Sequence, residues 1–185
     1  MARKSIVEVL AEVTILLADN TTGDITPADV RTVFTDILEI IQPSYGVLEI
    51  PTPSTVVKTV ELADSPLVWT ASLVGGVTQY TTADNSVISC DKSASSRIDL
   101  TMNIEGPNGR LVIATLYKNG VATPLVASGN TLGAGKPVSL NFSGIQYSDG
   151  VTTYELRVKA DVAGTSVTFS NSVLLLSNLP VNSYV

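Results

Sequence analysis

Nine consecutive residues, Arg97-Ile-Asp-Leu-Thr-Met-Asn-Ile-Glu105, alternate polar and apolar without a break. A period of two places Ile98, Leu100, Met102 and Ile104 on one face of an extended chain and the polar residues on the other. A helix would scatter both sets around its axis. Tyr154, Leu156 and Val158 oppose Glu155, Arg157 and Lys159 in the same way, and Val138, Leu140 and Phe142 oppose Ser139 and Asn141. Each reads as a half-buried strand with one face on a core and the other on solvent or a partner.

Runs of this kind recur between turn signals from Thr55 onward: 55–62, 67–73, 77–82, 86–90, 97–105, 110–118, 121–127, 137–142, 152–160 and 166–176. Pro107-Asn-Gly109 and Lys118-Asn-Gly120 are hairpin signals, because Asn-Gly tolerates the positive φ angles of primed turns. They predict a three-stranded meander over 97–127. The glycines from Gly129 to Gly135 predict a longer crossing loop. No helical pattern separates these runs, which argues against a parallel βαβ sheet. The expected fold is an antiparallel, jelly-roll-like Greek-key sandwich over residues 55–185. The alternative, an immunoglobulin-like sandwich, lacks its cysteine pair here. The last run ends in Val173-Leu-Leu-Leu176, predicting a strand buried on both faces, centrally or at a subunit contact.

Residues 1–45 follow a different period. Ser5-Ile-Val-Glu8 has the capping-box form, and Ile6, Val9, Leu10, Val13, Leu16 and Leu17 make one apolar stripe, predicting a helix from about Ser5 to Ala18. Thr26-Pro27-Ala28-Asp29 is a second start signal. Val30, Val33, Phe34, Ile37, Leu38 and Ile41 follow before Pro43 stops the helix. The expected module is a helical hairpin, too short to be stable alone in water. Ile6, Leu10, Val13, Leu17, Val30, Phe34, Ile37 and Ile41 are its candidate apolar interface, with Glu8, Glu12, Asp29, Asp36 and Glu39 as acidic contacts for a basic partner. Residues 46–54, with Pro51 and Pro53, read as an extended connector between the two domains.

Charged residues make up 15% of the chain, against about 25% in an ordinary soluble domain, so much surface is expected to meet other chains. Three basic residues face eight acidic ones in residues 1–50, which carry nearly all of the net charge of −6. With no basic run, direct nucleic-acid binding is not expected. The N-terminus has no signal-peptide pattern, and no stretch is apolar enough to span a membrane.

The inventory for catalysis is short. There is no histidine, and Cys90 is the only cysteine, read as a small core or edge residue. Ser89-Cys-Asp-Lys92 matches Ser-x-x-Lys without a supporting motif. Asp99, Glu105, Glu155 and Asp161 read as solvated charges rather than a glycosidase pair. Asp19, Thr21, Gly23 and Asp24 fail the EF-hand spacing and read as a turn plus helix cap. Trp69 is expected in the core. Trp69 with Tyr80 is the alternative, a sugar-binding platform. No enzyme, cofactor or metal site is expected.

The stretch Asp19-Asn-Thr-Thr-Gly-Asp-Ile-Thr-Pro-Ala-Asp-Val-Arg31, followed by Pro43-Ser-Tyr-Gly46, resembles the N-terminal segment of small tailed-bacteriophage and prophage virion proteins. In these a helix–loop–helix precedes variable β-rich regions. The resemblance covers residues 5–48. The C-terminal half is similar in style to the jelly-roll domains of phage decoration and fibre proteins, which usually trimerise. The resemblance implies a structural subunit of a virion, assembled in the host cytoplasm. It would be a trimeric capsid decoration (cement) or head-fibre protein contacting the major capsid protein or other virion proteins. The alternative is a tail-fibre or baseplate subunit whose β domain binds a host glycan through Tyr80, Tyr147 and loop 129–136.

Overall fold

The computed structural model describes residues 8, 11, 15, 26–41, 44–75, 80–91 and 93–179. Among the described residues the helix α1 (Pro27–Ile41) precedes eleven strands. These are β1 (Tyr45–Val60), β2 (Ser65–Pro66), β3 (Ala71–Gly75), β4 (Tyr80–Ala83), β5 (Val87–Cys90), β6 (Ser93–Glu105), β7 (Leu111–Lys118), β8 (Val121–Asn130), β9 (Val138–Asp149), β10 (Thr152–Ala160) and β11 (Thr165–Asn178).

Two antiparallel sheets face each other. Sheet A has the order β3-β1-β11-β6-β9; sheet B has β4-β5-β10-β7-β8, with β2 on β10. This is the expected jelly-roll-like sandwich. The alternating runs build its core: Ile98, Leu100, Met102 and Ile104 from β6 meet Tyr154, Leu156 and Val158 from β10, all at 0–1% exposure. Burying a side chain of this size contributes about 1.5–3 kcal/mol. Cys90 and Trp69 are also buried.

Several expectations change. Residues 46–54 are extended, but they lie within β1 rather than linking two domains. Leu48 and Ile50 are fully buried; residues 45–50 pair with β11, and 45–49 also pair with β3. The prolines mark a bulge. Ile50 pairs with Ser172 and Thr55 with Ser170, so 51–54 loop out opposite the single residue Asn171. The Thr52 hydroxyl donates to Asn171 Oδ1, and Asn171 adopts a φ of 45°. Proline cannot donate to a ladder, and a bulge on an outer strand is where it fits.

The predicted meander over 97–127 divides between the sheets. β6 pairs with β11 and β9, while β7 pairs with β8 and β10. The turn at Pro107–Gly109 therefore crosses from one sheet to the other. Asn119-Gly120 does close a hairpin, with φ of 50° and 76°. The loop at 131–137 carries the chain from β8 in sheet B to β9 in sheet A, the crossing that the glycines predict. β11 lies centrally between β1 and β6, yet only one of its faces is covered. Leu174 and Leu176 are buried, whereas Val173 is 37% exposed and Leu175 half-buried.

The edges are closed in two ways. Between β8 and β9, Leu125 lies over Gly144 so closely that a Cβ there would sit 2.3 Å from Leu125 Cδ2. Beyond Glu49, β1 has no ladder partner among the described residues on its side away from β11. There Pro51, Pro53 and the inward-pointing Lys58 guard the strand edge against pairing with another chain.

α1 begins as its start signal predicts. Thr26 Oγ1 accepts the Asp29 N–H (3.3 Å), and the Asp29 carboxylate accepts from the Thr26 N–H (2.8 Å) and hydroxyl (2.7 Å). The partner helix of the expected hairpin lies outside the described residues, apart from the helical positions Glu8, Ala11 and Ile15. Ser44 is held at the sandwich by the Asn178 N–H, which donates to its carbonyl at 3.0 Å. Both ends of the sandwich's chain thus lie at one end, called proximal below. Loops 61–64, 106–110, 131–137 and 161–164 form the distal end.

Candidate functional site

Strand alternation fixes which side chains point away from the core, and the register shows which of them meet. On sheet A, Val47 pairs with Leu73 of β3 on one side and Leu175 of β11 on the other. Tyr45 lies between Gly75 and Ser177, with its ring across Gly75, where a Cβ would be 2.3 Å from Tyr45 Cζ. Glu49 lies between Ala71 and Val173. At the proximal half of the outer face, Tyr45, Val47, Leu73, Val173 and Leu175 therefore form an unbroken apolar patch across three strands. Leu73 is 55% exposed. The neighbouring columns carry Arg97, Asp99, Thr101, Ser143 and Asn141, with Arg97 Nε 2.8 Å from Asp99 Oδ2, and Ile145 and Tyr147 stand exposed on β9.

The outer face of sheet B has different chemistry. Glu155, Arg157 and Lys159 follow one another along β10, and Asp64 comes from the loop before β2. Arg157 pairs with Glu155 and stacks 4.3 Å from the Tyr117 ring centroid; Lys159 Nζ lies 3.3 Å from Asp64 Oδ2. Partial desolvation, together with a hydrogen bond to Asp64, raises the pKa of the Tyr117 hydroxyl. Each charge on this strand has a partner: Glu155 and Arg157 pair with each other, and Lys159 with Asp64.

The carboxylates weighed for catalysis have structural employment. Asp99 holds Arg97, and Glu155 holds Arg157. Glu105 Oε1 accepts the Gly135 N–H at 2.7 Å and Asp161 Oδ1 the Leu111 N–H at 3.2 Å, each tying down a distal loop. The Tyr154 phenol is fully buried. Burial foremost, with Cys90, Tyr80 and Asp149 adding to it, pushes its pKa up, so it stays neutral. No group of three or more metal-ligating side chains occurs among the described residues, and no helix there is long and apolar enough to cross a membrane.

Tyr80 does not serve the sugar platform. It is 2% exposed, and its hydroxyl lies 2.7 Å from Ser96 Oγ inside the sandwich. Trp69 is equally buried. Tyr147 (58% exposed) and the distal-loop residue Leu132 are on the surface. On α1, Val30, Phe34 and Ile37 are 37%, 61% and 38% exposed, whereas Val33 is buried. Ile41, Asp36 and Glu39 lie on the same helix, and Glu8 is exposed. Ile6, Leu10, Glu12, Val13 and Leu17, like the turn at Asp19–Asp24, lie outside the described residues. The sheet A patch was missed in sequence because its members come from three distant segments.

This strand order and sheet pairing define a jelly-roll-like β-sandwich. The chain is similar to the Eiger TNF of S. frugiperda (10% identity, TM-score 0.53, 73% of this chain and 91% of that one). It is likewise similar to murine APRIL (8%, 0.53, 74% and 99%) and to the globular domain of zebrafish complement 1qA (10%, 0.51, 75% and 96%). At such identities the likeness is one of fold. No family model and no curated protein matches the sequence.

Proposed function

We propose that this chain is a structural subunit of a bacteriophage particle, a homotrimeric capsid decoration or head-fibre protein on the exterior. The observation that carries the reading is the outer face of sheet A. The chain builds a complete core and still leaves Tyr45, Val47, Leu73, Val173 and Leu175 in one patch, two of whose members, Tyr45 and Val47, lie within the segment that resembles phage virion proteins. Continuous apolar surface on a folded domain marks a protein contact. The TNF- and C1q-type neighbours, which are homotrimeric, support three copies joined through their sandwiches. The acidic N-terminal segment, with Asp36 and Glu39, supplies the particle contact, and repetition over many copies adds avidity.

Electron microscopy of particles carrying a C-terminal label tests the location. Label over the head supports the reading; label confined to the tail tip overturns it. The second outcome favours a tail-fibre or baseplate subunit that binds a host glycan, a reading to which the exposed Tyr147 and the loop around Leu132 lend themselves. Removing residues 1–45 tests the anchor: the truncated protein should no longer bind particles.

A further inference from the structure

We infer that Asn171 is a register lock: this residue, not the hydrophobic pattern, decides which half of Val173-Leu-Leu-Leu176 enters the core. Along β11 the buried positions change parity. Val167 and Phe169 are buried on the distal side of Asn171, and Ser172, Leu174 and Leu176 on its proximal side. The neighbouring β6 keeps one parity throughout, from Ala94 to Ile104. The difference is one extra residue in β11. Ser170 pairs with Asn103 and Val173 with Thr101, so Asn171 and Ser172 together oppose Met102.

Were the extra residue taken into the alternation instead of the bulge, every later side chain of β11 would change faces. The apolar run does not oppose this. A strand alternating straight through from Phe169 would bury Val173 and Leu175 and turn Leu174 and Leu176 outward. The core receives two large apolar side chains in either case. Nor does β1 oppose it, since the loop 51–54 that faces Asn171 can absorb one residue of slip. What stands against the straight strand is position 171, where a carboxamide would enter the core between Phe169 and Val173. The bulge keeps that group outside. Asn171 is exposed, in a left-handed conformation (φ 45°) that asparagine adopts more readily than β-branched residues, and its Oδ1 accepts from the Thr52 hydroxyl. The lock sets what sheet A presents outside: Val173 and Leu175 when it holds, Leu174 and Leu176 when it is lost. This choice is made within one chain, whatever the sandwiches then associate with.

Paired cysteines read the register directly, because directly opposed residues on one face come within disulfide reach and residues on opposite faces do not. Leu175 opposes Asp99 as the strand stands, and Leu174 would oppose it after the slip. Cys90, the only native thiol, is buried. With oxidised glutathione, Asp99→Cys should bridge to Leu175→Cys in at least about tenfold excess over Leu174→Cys. Adding Asn171→Val makes positions 167, 169, 171, 173 and 175 an unbroken apolar alternation and should reverse the preference. Deleting Asn171 removes the extra residue itself, so the bridge to Leu175→Cys should persist. An Asn171→Val protein that keeps the 99–175 bridge, or that is unfolded by circular dichroism, overturns the lock. So does a deletion protein that bridges 99 to 174 or closes neither pair.

Discussion

Along β10 the outward side chains are Glu155, Arg157 and Lys159; near the end of β11 they are Val173 and Leu175. Inward, the two strands are alike, with Tyr154, Leu156 and Val158 on one and Leu174 and Leu176 on the other, all fully buried. The two faces that form the core obey one rule, and the two outer faces obey different ones. Sheet B carries ion pairs and a stacked arginine along β10. The proximal half of sheet A carries an apolar patch instead.

The strongest way to break this contrast is to place a charge on each face. Val173→Asp should convert the trimer to monomer in light scattering, because a buried unpaired charge at each contact costs about 3 kcal/mol or more, roughly a hundredfold in affinity. Ile113→Asp, on the outer face of sheet B, should leave the assembly intact. If both or neither dissociate, the faces are not distinct. Next in size is a comparison within one strand. Leu174→Ala should lower unfolding stability by about 2–5 kcal/mol in denaturant titration, while Leu175→Ala should cost the isolated fold far less and weaken association instead.

Smaller effects sharpen the picture of sheet B. Arg157→Ala removes the Glu155 pair and the stacking on Tyr117, and should cost about 1 kcal/mol, less at high salt, without changing the oligomer. Smallest is the cap of α1. Hydrogen bonds from the Thr26 hydroxyl, and next from its backbone N–H, hold the Asp29 carboxyl below its ordinary value of 3.8. A depressed carboxylate contributes stability that is fully present above the ordinary value and lost as pH falls through the lowered one. Helical circular dichroism should therefore decline on acidification below about pH 4, and less so in Asp29→Asn, whose uncharged side chain cannot titrate.

Most strands were legible in the sequence because alternation is local: Arg97–Glu105 and Tyr154–Lys159 state their own faces. What they pair with is not local. β6 turns at Pro107–Gly109 like the arm of a hairpin, but its partners are β11 and β9, more than thirty residues away on either account. Tyr45–Ile50 looked like a connector because Pro51 and Pro53 follow it, and prolines signal extension without saying whether a sheet is on either side. The candidate site was less legible still. Tyr80 became a core residue through a hydroxyl partner sixteen positions on, and the sheet A patch exists only once Leu73, Val47 and Leu175 share a register. On α1 the local signal sufficed for the cap, which Thr26 and Asp29 build where the residues placed it.

The adjacency of the first and last long strands has a mechanical consequence. β1 and β11 are antiparallel neighbours, and Ser44 and Asn178 leave the sandwich together at its proximal end. A drag on the distal loops, with the chain held at its N-terminal side, loads the pairs from Tyr45–Ser177 to Val60–Thr165 in shear, all at once. A force separating the two termini would peel the same pairs one by one. A subunit held from one end and buffeted at the other meets its load in the stronger of these two directions.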